Sequence, residues 1–350
     1  MTRIYLIRHA EAEGNLYRVA HGWHNGLITN DRGYRQIDAL RRRFQEVDID
    51  AVYASDLYRT QLTARAIWLP KALPLHLEPA FREIHMGVWE DRTWHELNVQ
   101  YPEEMYHFNR RVDLFRVEGG ETAQQVLDRY LPALHRVAAA HDGGTVAVFS
   151  HGAALRIVLG TLQGVPLSDI GDTPHGDNTA VSLLTWDNGA LRVEYRDDNS
   201  HLTAEGLSTF ARQSWWRSAK MVESGEDYAP LPPQLRRRFH VPDGGEAVGI
   251  RKDEAFIGAF QLLPDDEPDA GRLGWYWLDP AWRGKGLGVA PMGQVLSHFR
   301  RQGVSLLRLS CGDRDLRRFF ARLGFYPLDG DTMEKDIRVA LPPIPQEYRP

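Results

Sequence analysis

The hydrophobic pattern of the first 200 residues alternates between short apolar runs and longer stretches with helical periodicity. Apolar runs at 4–7, 51–54 and 145–149 predict three buried strands. Apolar residues recur at intervals of three and four over 33–47 and 122–137, as they do on one face of a helix. This alternation predicts an α/β fold with a largely parallel sheet that is covered by helices on both faces.

Two of the predicted strands end at histidines. The first strand runs into Arg8 and His9, and the third runs into His151. In an open α/β sheet, ligands bind beyond the carboxyl ends of the strands. We therefore expect these residues to share one pocket.

An arginine follows the second predicted strand. Ser55 or Asp56 is expected to cap the next helix, which puts Arg59 in the first helical turn. Backbone amides and a guanidinium group converge at such a position and favour the binding of an anion. Arg59 is therefore a candidate anion ligand.

These residues lie in short motifs that follow one another along the chain: Arg8-His9-Ala10-Glu11 with Asn15, Tyr53 to Arg59, Arg82-Glu83-Ile84 with Gly87 and Trp89, Gly120-Glu121-Thr122, Ser150-His151-Gly152 and Asn178-Thr179. Over residues 3 to about 203 the motifs and their order resemble those of the histidine phosphatase superfamily, also called phosphoglycerate-mutase-like. The resemblance implies a three-layer α/β/α domain. Ala10 stands where the family usually has glycine, a small change that we expect to be tolerated.

The reaction that the resemblance implies agrees with the chemistry of these side chains. His9 attacks phosphorus as a neutral imidazole and forms a phosphohistidine, which water then hydrolyses. Glu83 is the candidate proton donor to the leaving oxygen and later the base for water. Four side chains are expected to hold the phosphoryl oxygens: Arg8, Asn15, Arg59 and His151. These groups supply the positive charge, so the predicted activity is a metal-independent phosphomonoesterase for a small phosphorylated metabolite.

A phosphoglycerate mutase is the alternative for this half of the chain. Gly22-Trp23 is similar to the corresponding segment of the mutases. Mutases, however, carry a long insertion between the acid and the second histidine, and the segment from Glu83 to His151 is short. The short segment favours an open pocket and net hydrolysis.

The second half of the chain shows a different pattern. Residues 246–251, 255–263 and 272–278 predict three antiparallel strands. A glycine-rich turn over 279–288 follows, and apolar residues at helical spacing come after it. Such a turn exposes backbone amides at the positive end of a helix, where a pyrophosphate group can bind.

Arg283-x-x-Gly286-x-Gly288 resembles the coenzyme A signature of the GNAT acetyltransferases, and Leu323-Gly324-Phe325 is similar to another motif of that family. The resemblance spans about 246–340. It implies a mixed α/β GNAT (acyl-CoA N-acyltransferase) domain that uses acetyl-CoA to acetylate an amine. The residues that it implies for cofactor binding are Leu278, Arg283, Gly284, Lys285, Gly286, Leu287 and Gly288.

One departure concerns the acetyl-transfer step. The family often has a tyrosine that protonates the departing thiolate, and this chain has Phe320 there. Loss of a general acid can lower a rate by about 10²–10⁴. The alternative is therefore a GNAT domain that senses acetyl-CoA without catalysis.

The expected organisation is a histidine phosphatase domain over 1–204, a linker or helical junction over 205–245, a GNAT domain over 246–340 and a tail over 341–350. A helix is expected within the junction, at 205–220. Proline- and glycine-containing turns elsewhere in the junction predict a flexible boundary.

Composition narrows the class of protein. The 350 residues carry a net charge of −5, which does not favour nucleic acid as a partner. No apolar stretch is long enough to predict a membrane span or a secretory signal. Cys311 is the only cysteine, so no internal disulfide forms. We expect a cytoplasmic protein with no membrane partner.

Overall fold

The computed structural model describes residues 1–24, 26–28, 31–211, 226–252 and 255–338. These residues form two sheets, a six-stranded sheet in the first half of the chain and a seven-stranded sheet in the second half. No helix within these ranges combines the length and the apolar character needed to cross a bilayer.

The first sheet has the strand order β3-β2-β4-β1-β5-β6. Its strands are β1 (Thr2–Arg8), β2 (Ala51–Ala54), β3 (Leu75–Leu77), β4 (Thr145–Ser150), β5 (Val181–Asp187) and β6 (Ala190–Asp198). The four strands from β3 to β1 are parallel, and β5 and β6 add an antiparallel edge. The sheet is therefore largely parallel, as the sequence predicts.

Helices cover both faces of this sheet. They are α1 (Glu13–Tyr17), α2 (Asp31–Arg43), α3 (Tyr58–Ala64), α4 (Trp94–Gln100), α5 (Pro102–Arg110), α6 (Ala123–Ala140) and α7 (Gly152–Leu162). One buried cluster packs α6 and α7 against the sheet, and a second packs α2 and the segment after α3 against the other face. The three-layer α/β/α architecture is thus confirmed.

Two details of the predicted helices are wrong. The helix expected over 33–47 begins at Asp31 and ends at Arg43, with turns after it. The cap of α3 is Leu57, whereas Ser55 or Asp56 was expected. The Ser55 hydroxyl accepts from the Leu57 N–H at 3.2 Å and also contacts Thr60 and His151.

The second sheet has the order β12-β13-β11-β10-β9-β8-β7. Its strands are β7 (Glu226–Pro230), β8 (Glu246–Lys252), β9 (Ala255–Pro264), β10 (Ala270–Leu278), β11 (Leu306–Ser310), β12 (Tyr326–Asp329) and β13 (Thr332–Asp336). Its helices are α8 (Pro233–Arg238), α9 (Ala290–Arg301) and α10 (Arg314–Arg322). β10 pairs with β11 only over its first four residues and then diverges from it after an irregularity between Leu273 and Trp275.

Part of the predicted junction belongs to this second sheet. β7 pairs with β8 along its whole length. Leu235 of α8 packs on a cluster that contains Ala247 of β8 and Ala259 of β9. Of the helix expected over 205–220, residues 205–211 form turns, and the remainder lies outside the described residues. The predicted tail at 341–350 also lies outside them.

The two halves share a buried interface. Tyr17 and Val19 of the first half belong to the apolar cluster that contains Met292 and Leu296 of α9. The helix α1 is therefore packed against the second half of the chain.

Candidate active site

Parallel pairing of β1 with β4 brings the two predicted histidines together. Arg8, the last residue of β1, lies opposite Ser150, the last residue of β4. His9 and His151 are the next residues and therefore lie side by side. Their ring centroids are 5.3 Å apart. The backbone N–H of His9 also donates to the Ser150 carbonyl at 3.0 Å. The strand ends thus form a single site.

The imidazole of His9 is held in one orientation. Its Nδ1 lies 2.7 Å from the Ala10 carbonyl, and a carbonyl can only accept, so Nδ1 carries the proton. Burial, followed by the nearby Arg59 and Arg8 charges, lowers the pKa of His9 well below its usual 6.5. The neutral ring therefore has its lone pair on Nε2.

His151 is fixed by a different contact. Its Nε2 lies 2.7 Å from the Ser55 hydroxyl, whereas its buried Nδ1 has no hydrogen-bond partner among the described residues. Burial is the largest cause that lowers its pKa well below 6.5, and Arg59 and His9 add to it. Ser55 is thus an orienting residue that the sequence motif contained but that sequence reasoning treated only as a helix cap.

Two arginines supply charge at this site. Arg59 lies in the first turn of α3, as predicted, and donates to the carbonyls of His24 and Gly22 at 2.6 and 2.7 Å. Arg8 donates to the Gly176 carbonyl at 2.6 Å. Burial lowers the pKa of Arg59 to about 10, and it also lowers the pKa of Arg8. Both groups therefore remain cationic at neutral pH.

Each arginine keeps a buried Nε atom that has no partner in the described part of the chain. The Nδ1 atom of His151 is in the same situation. Buried polar groups without partners are rare, because each carries the cost of its lost hydration. An oxyanion with several acceptor oxygens would satisfy such a set of groups, which fits a phosphoryl group.

Glu83 sits at the amino-terminal end of α7. Its carboxylate accepts from the backbone N–H groups of Ala154 at 2.8 Å, Ile84 at 3.0 Å and Ala153 at 3.1 Å. The side chain of Arg129 and the indole of Trp23 both donate to the Glu83 carbonyl, so the backbone is held as well. The position of the carboxylate is thus fixed by helix α7 and by the loop that carries it.

Asn15 lies on the short helix α1. Its Oδ1 accepts from the Ala12 N–H at 3.2 Å and from Asn178 Nδ2 at 3.3 Å. The same Nδ2 donates to the His9 carbonyl at 3.0 Å. Asn15 is therefore linked to the backbone of His9 through Asn178.

A cavity of about 140 Å³ lies at these residues. Its lining includes five of the six predicted residues, namely Arg8, His9, Asn15, Arg59 and Glu83. The sixth, His151, has no exposed surface and lies behind His9. Within the described ranges, no group of three or more His, Cys, Asp or Glu side chains has the arrangement of a metal site.

The cavity has further walls that sequence reasoning missed. Four of them, Trp94, Met105, Phe108 and Asn109, come from α4 and α5, so the segment between Glu83 and His151 forms one wall of the cavity. His21, His175 and Phe210 also line it. Phe210 lies beyond the last family motif, and its ring is 5.6 Å from the Arg8 guanidinium carbon. Nothing in the local sequence pattern marks it.

A second candidate site lies in the loop between β10 and α9. Gly284 and Gly286 adopt positive φ values of +72° and +81°, and an added Cβ at either would meet nothing within 4 Å among the described residues. Arg283 donates to the Leu278 carbonyl at 2.7 Å, and Lys285 lies over the Trp282 ring. Leu278 and Leu287 are buried below the loop. The predicted cofactor residues therefore form one open loop on a buried base.

The position of the missing tyrosine is apolar in the fold. Phe320 on α10 is buried, and its ring packs against Phe319, Phe325 and Tyr276. The hydroxyl of Tyr276 donates to the Gly288 carbonyl. Phe320 therefore serves as a core residue in this half.

Comparison with known proteins gives two family matches. The model of the histidine phosphatase superfamily (branch 1) matches residues 4–199, and the model of the acetyltransferase (GNAT) family matches residues 210–325. Each match contains one of the two sites described above.

Individual relatives agree with the first match. Phosphoserine phosphatase 1 of Hydrogenobacter thermophilus is 33% identical over 171 residues, which cover 48% of this chain and 79% of that protein. A probable phosphoglycerate mutase GpmB of Erwinia tasmaniensis is 29% identical over 217 residues, 61% of this chain and all of that protein. The solved structure of Bacillus stearothermophilus YhfR has a TM-score of 0.56 at 29% identity and covers 58% of this chain and 100% of its own.

The first half of the chain thus carries both the family's sequence and its fold, and the second half carries a mixed sheet with a glycine-rich loop before α9. The chain belongs to the histidine phosphatase superfamily and carries a GNAT acetyltransferase domain in addition.

Proposed function

We propose that the first half is a metal-independent phosphomonoesterase that acts through a phosphohistidine on His9. The observation that carries the proposal is the neutral imidazole of His9, with its proton on Nδ1, next to His151 and two buried arginines. Nucleophilic attack on phosphorus needs this free lone pair on Nε2. The cations stabilise the charge that develops on the phosphoryl oxygens.

The reaction divides into two displacements. In the first, His9 Nε2 forms a bond to phosphorus, the ester P–O bond breaks, and the leaving oxygen takes a proton from Glu83. In the second, water attacks phosphorus, the P–N bond breaks, and a proton of the water returns to Glu83. Arg8, Arg59 and His151 are the proposed partners of the phosphoryl oxygens in both steps, and Asn15 adds a hydrogen bond at the wall.

The contacts of Glu83 fit a group that alternates between acid and base. Its carboxylate already accepts three backbone N–H bonds at the amino-terminal end of α7, where negative charge is favoured. When protonated, it presents one O–H that needs an acceptor, and the leaving oxygen of a bound substrate supplies one.

The substrate is proposed to be a small phosphorylated metabolite. Phosphoserine and 3-phosphoglycerate are the first compounds to test, because the names of the similar proteins refer to phosphoserine and phosphoglycerate. A phosphoglycerate mutase is the second candidate. It is favoured by Gly22-Trp23, since the Gly22 carbonyl accepts from Arg59 and the Trp23 indole donates to the Glu83 carbonyl. Release of free phosphate separates hydrolysis from transfer.

We propose that the second half transfers an acetyl group from acetyl-CoA to an amine. Acetyl-CoA would supply an activated thioester. The open loop of Gly284 to Gly288 would hold its phosphates, with Arg283 and Lys285 adding positive charge. Because Phe320 cannot donate a proton, a domain that binds acetyl-CoA without transfer remains the alternative. The first domain is proposed to span 1–204. The second is proposed to begin at β7 and to end near 340, because β7 pairs with β8 of the second sheet.

The mechanism predicts a covalent intermediate. His9→Ala should lower the turnover of p-nitrophenyl phosphate in EDTA by about 10³-fold or more, because the nucleophile is removed. Rapid acid quench of the unmodified protein should trap an acid-labile phosphoenzyme. The exposed His76→Ala variant is the matched control. Wild-type turnover in His9→Ala, or full loss of activity in EDTA, would refute this mechanism.

Glu83→Gln should reduce hydrolysis of alkyl phosphates much more than that of p-nitrophenyl phosphate. Only the alkyl esters have a poor leaving group that needs a proton, so the difference should reach about 10²-fold in kcat/KM. Steady-state kinetics on both substrate classes give the ratio. A glutamine keeps an acceptor for two of the three backbone N–H bonds. Equal losses on both classes would therefore indicate a structural role for Glu83.

The buried histidines predict a loss of stability in acid. Burial is the largest cause that lowers the pKa of each of four site histidines well below 6.5, namely His9, His21, His151 and His175. Below pH 6.5 the unfolded chain binds protons at these rings and the folded chain does not. The free energy of unfolding should therefore fall as pH decreases from 6.5, by up to about 1.4 kcal/mol per pH unit for each ring.

Urea denaturation of the full chain between pH 7.5 and 5.5 tests this slope. His9→Asn should make this slope shallower, because one of the buried neutral rings is removed. Substitution of the exposed His76 by asparagine should leave it unchanged. A slope that is the same in both variants would contradict the assignment.

The glycine loop predicts a specific effect on cofactor binding. Gly286→Glu adds bulk and negative charge where the phosphates of acetyl-CoA would bind, so it should abolish the rise in melting temperature that millimolar acetyl-CoA causes. Phosphatase activity should persist. Gly303→Glu is the matched control, because Gly303 also has a positive φ and open space around its Cβ position. Absence of a thermal shift in the unmodified protein would count against acetyl-CoA as the ligand.

A further inference from the structure

The phosphatase cavity has one wall that the second half of the chain supports. This wall is α1, which has only five residues, Glu13–Tyr17. Gly14 and Asn15 line the cavity, whereas Glu13 and Tyr17 are buried against the second half. Isolated helices shorter than about 12–15 residues are marginal in water, so α1 depends on tertiary contacts for its position.

A buried cluster of charges forms the centre of that contact. Arg300 of α9 donates to Glu13 at 3.0 Å and to Asp91 at 3.1 Å. Lys335 of β13 lies 3.4 Å from Glu13. All four side chains are at most 9% exposed. Two cations thus pair with two carboxylates away from water. Removal of one partner would leave a buried charge without compensation, which is strongly destabilising.

Glu13 is the carboxylate that the two cations share. Burial acts to raise its pKa, but Arg300 and Lys335 outweigh burial, so the pKa of Glu13 lies below its ordinary value. For Asp91 burial prevails and raises the pKa to about 6. Arg300 contacts both carboxylates, and Glu13, which Lys335 also contacts, is the first residue of α1.

Close packing holds the rest of α1 against α9. A Cβ added at Gly293 would lie 2.1 Å from the Tyr17 carbonyl oxygen, so only glycine allows this approach. The Tyr17 hydroxyl donates to the Leu323 carbonyl at 2.6 Å. The first and last residues of α1 are thus both fixed by the acetyltransferase half.

Helix α1 is linked to His9 by hydrogen bonds that connect Asn15, Asn178 and the His9 carbonyl. Asn15, in the middle of α1, accepts from Asn178 Nδ2, which also donates to the His9 carbonyl. A displacement of α1 would move Asn15 out of the cavity wall and remove one partner of Asn178. The strand ends that carry Arg8 and His151 would not move with it.

We propose that Arg300, a residue of the acetyltransferase half, is a positioning residue of the phosphatase site, which it serves by holding Glu13 and hence the Asn15 wall in place. The phosphatase site is therefore incomplete without the second half. The proposal rests on the proposed function in one respect: its main test measures the hydrolysis of a phosphomonoester.

Substitution in the full-length chain tests this role. Arg300→Met keeps much of the volume but removes the charge. It should raise KM for p-nitrophenyl phosphate by about tenfold and change kcat by less than about threefold, because the nucleophile and its cations lie on other elements. Arg300→Lys should recover part of the loss, since one cation remains near Glu13.

The neighbouring residue on α9 provides a matched control. Arg301 also pairs with the first half of the chain, to Glu96 at 2.6 Å, but its side chain is 44% exposed. Exposed ion pairs contribute little, so Arg301→Met should keep the wild-type KM. Comparison of the two variants distinguishes the effect of losing the buried contact from the effect of removing an arginine from α9.

A steric variant tests the same wall without altering a charge. Gly293→Ala must push α9 away from α1, although alanine is the better helix former. It should raise KM in the same direction as Arg300→Met. Faster hydrogen exchange of the backbone amides of 13–17 should accompany both changes, and the exchange readout does not depend on activity.

The outcomes are distinct. A raised KM with faster exchange in Arg300→Met and Gly293→Ala, but not in Arg301→Met, supports the proposal. If Arg300→Met does not fold, Gly293→Ala and Arg300→Lys decide in the same way. Wild-type KM and exchange in the folded variants would overturn it. A lower melting temperature with unchanged KM would also overturn it, because Arg300 would then be only structural.

If the unmodified protein does not hydrolyse the ester, the proposed function fails. Hydrogen exchange at 13–17 then tests by itself whether Arg300 holds α1 in place.

Discussion

The parallel pairing of β1 with β4 is the constraint on which the phosphatase site depends. Because Arg8 lies opposite Ser150, the residues that follow the two strands emerge side by side at the same edge of the sheet. A shift of one residue in this register would reverse which face each side chain points to. The apolar residues of both strands are buried on both faces of the sheet, so such a shift is strongly disfavoured. The catalytic geometry is therefore a consequence of core packing.

The same buried position determines the charge state of the site. Burial is the main cause that lowers the pKa of His9, and the charges of Arg59 and Arg8 lower it further. Within the described lining of the cavity, Glu83 is the sole carboxylate, and helix α7 and a backbone amide satisfy it. The site thus places imidazoles with lowered pKa values beside two buried guanidinium groups. Under the proposed function, the same guanidinium groups would bind the phosphoryl oxygens and help to keep His9 neutral.

Sequence predicted the parts of this design that follow from local pattern. The strands that end at His9 and His151, the first-turn position of Arg59 and the glycine loop before α9 all have periodic or motif signals within a few residues. The role of Ser55 is different, because its contact with His151 spans 96 positions and no spacing rule connects the two. The wall that contains Phe210 also escapes prediction, since it depends on where the chain returns after the last strand of the first sheet.

The interface between the halves was the least predictable feature, and the reason is physical. Glu13 and Arg300 are separated by 287 positions, and each, taken alone, resembles an ordinary solvated charge on a helix. Only the tertiary fold shows that both are buried. The linker hypothesis assumed that each domain closes its own core, but Tyr17 and Val19 complete the core of the other half.

Helix α9 consequently contributes to two sites, one through its amino-terminal end and one through Gly293 and Arg300. Its amino-terminal end follows the glycine loop that is proposed to hold acetyl-CoA, while Gly293 and Arg300 contact α1 of the phosphatase half. Both contacts lie on one helix of 12 residues, so a change in the orientation of the whole helix affects both. A substitution that reorients α9 to improve cofactor binding also moves the support of Asn15. This shared helix gives a structural reason for the two domains to be retained in one chain, whether or not their substrates are related.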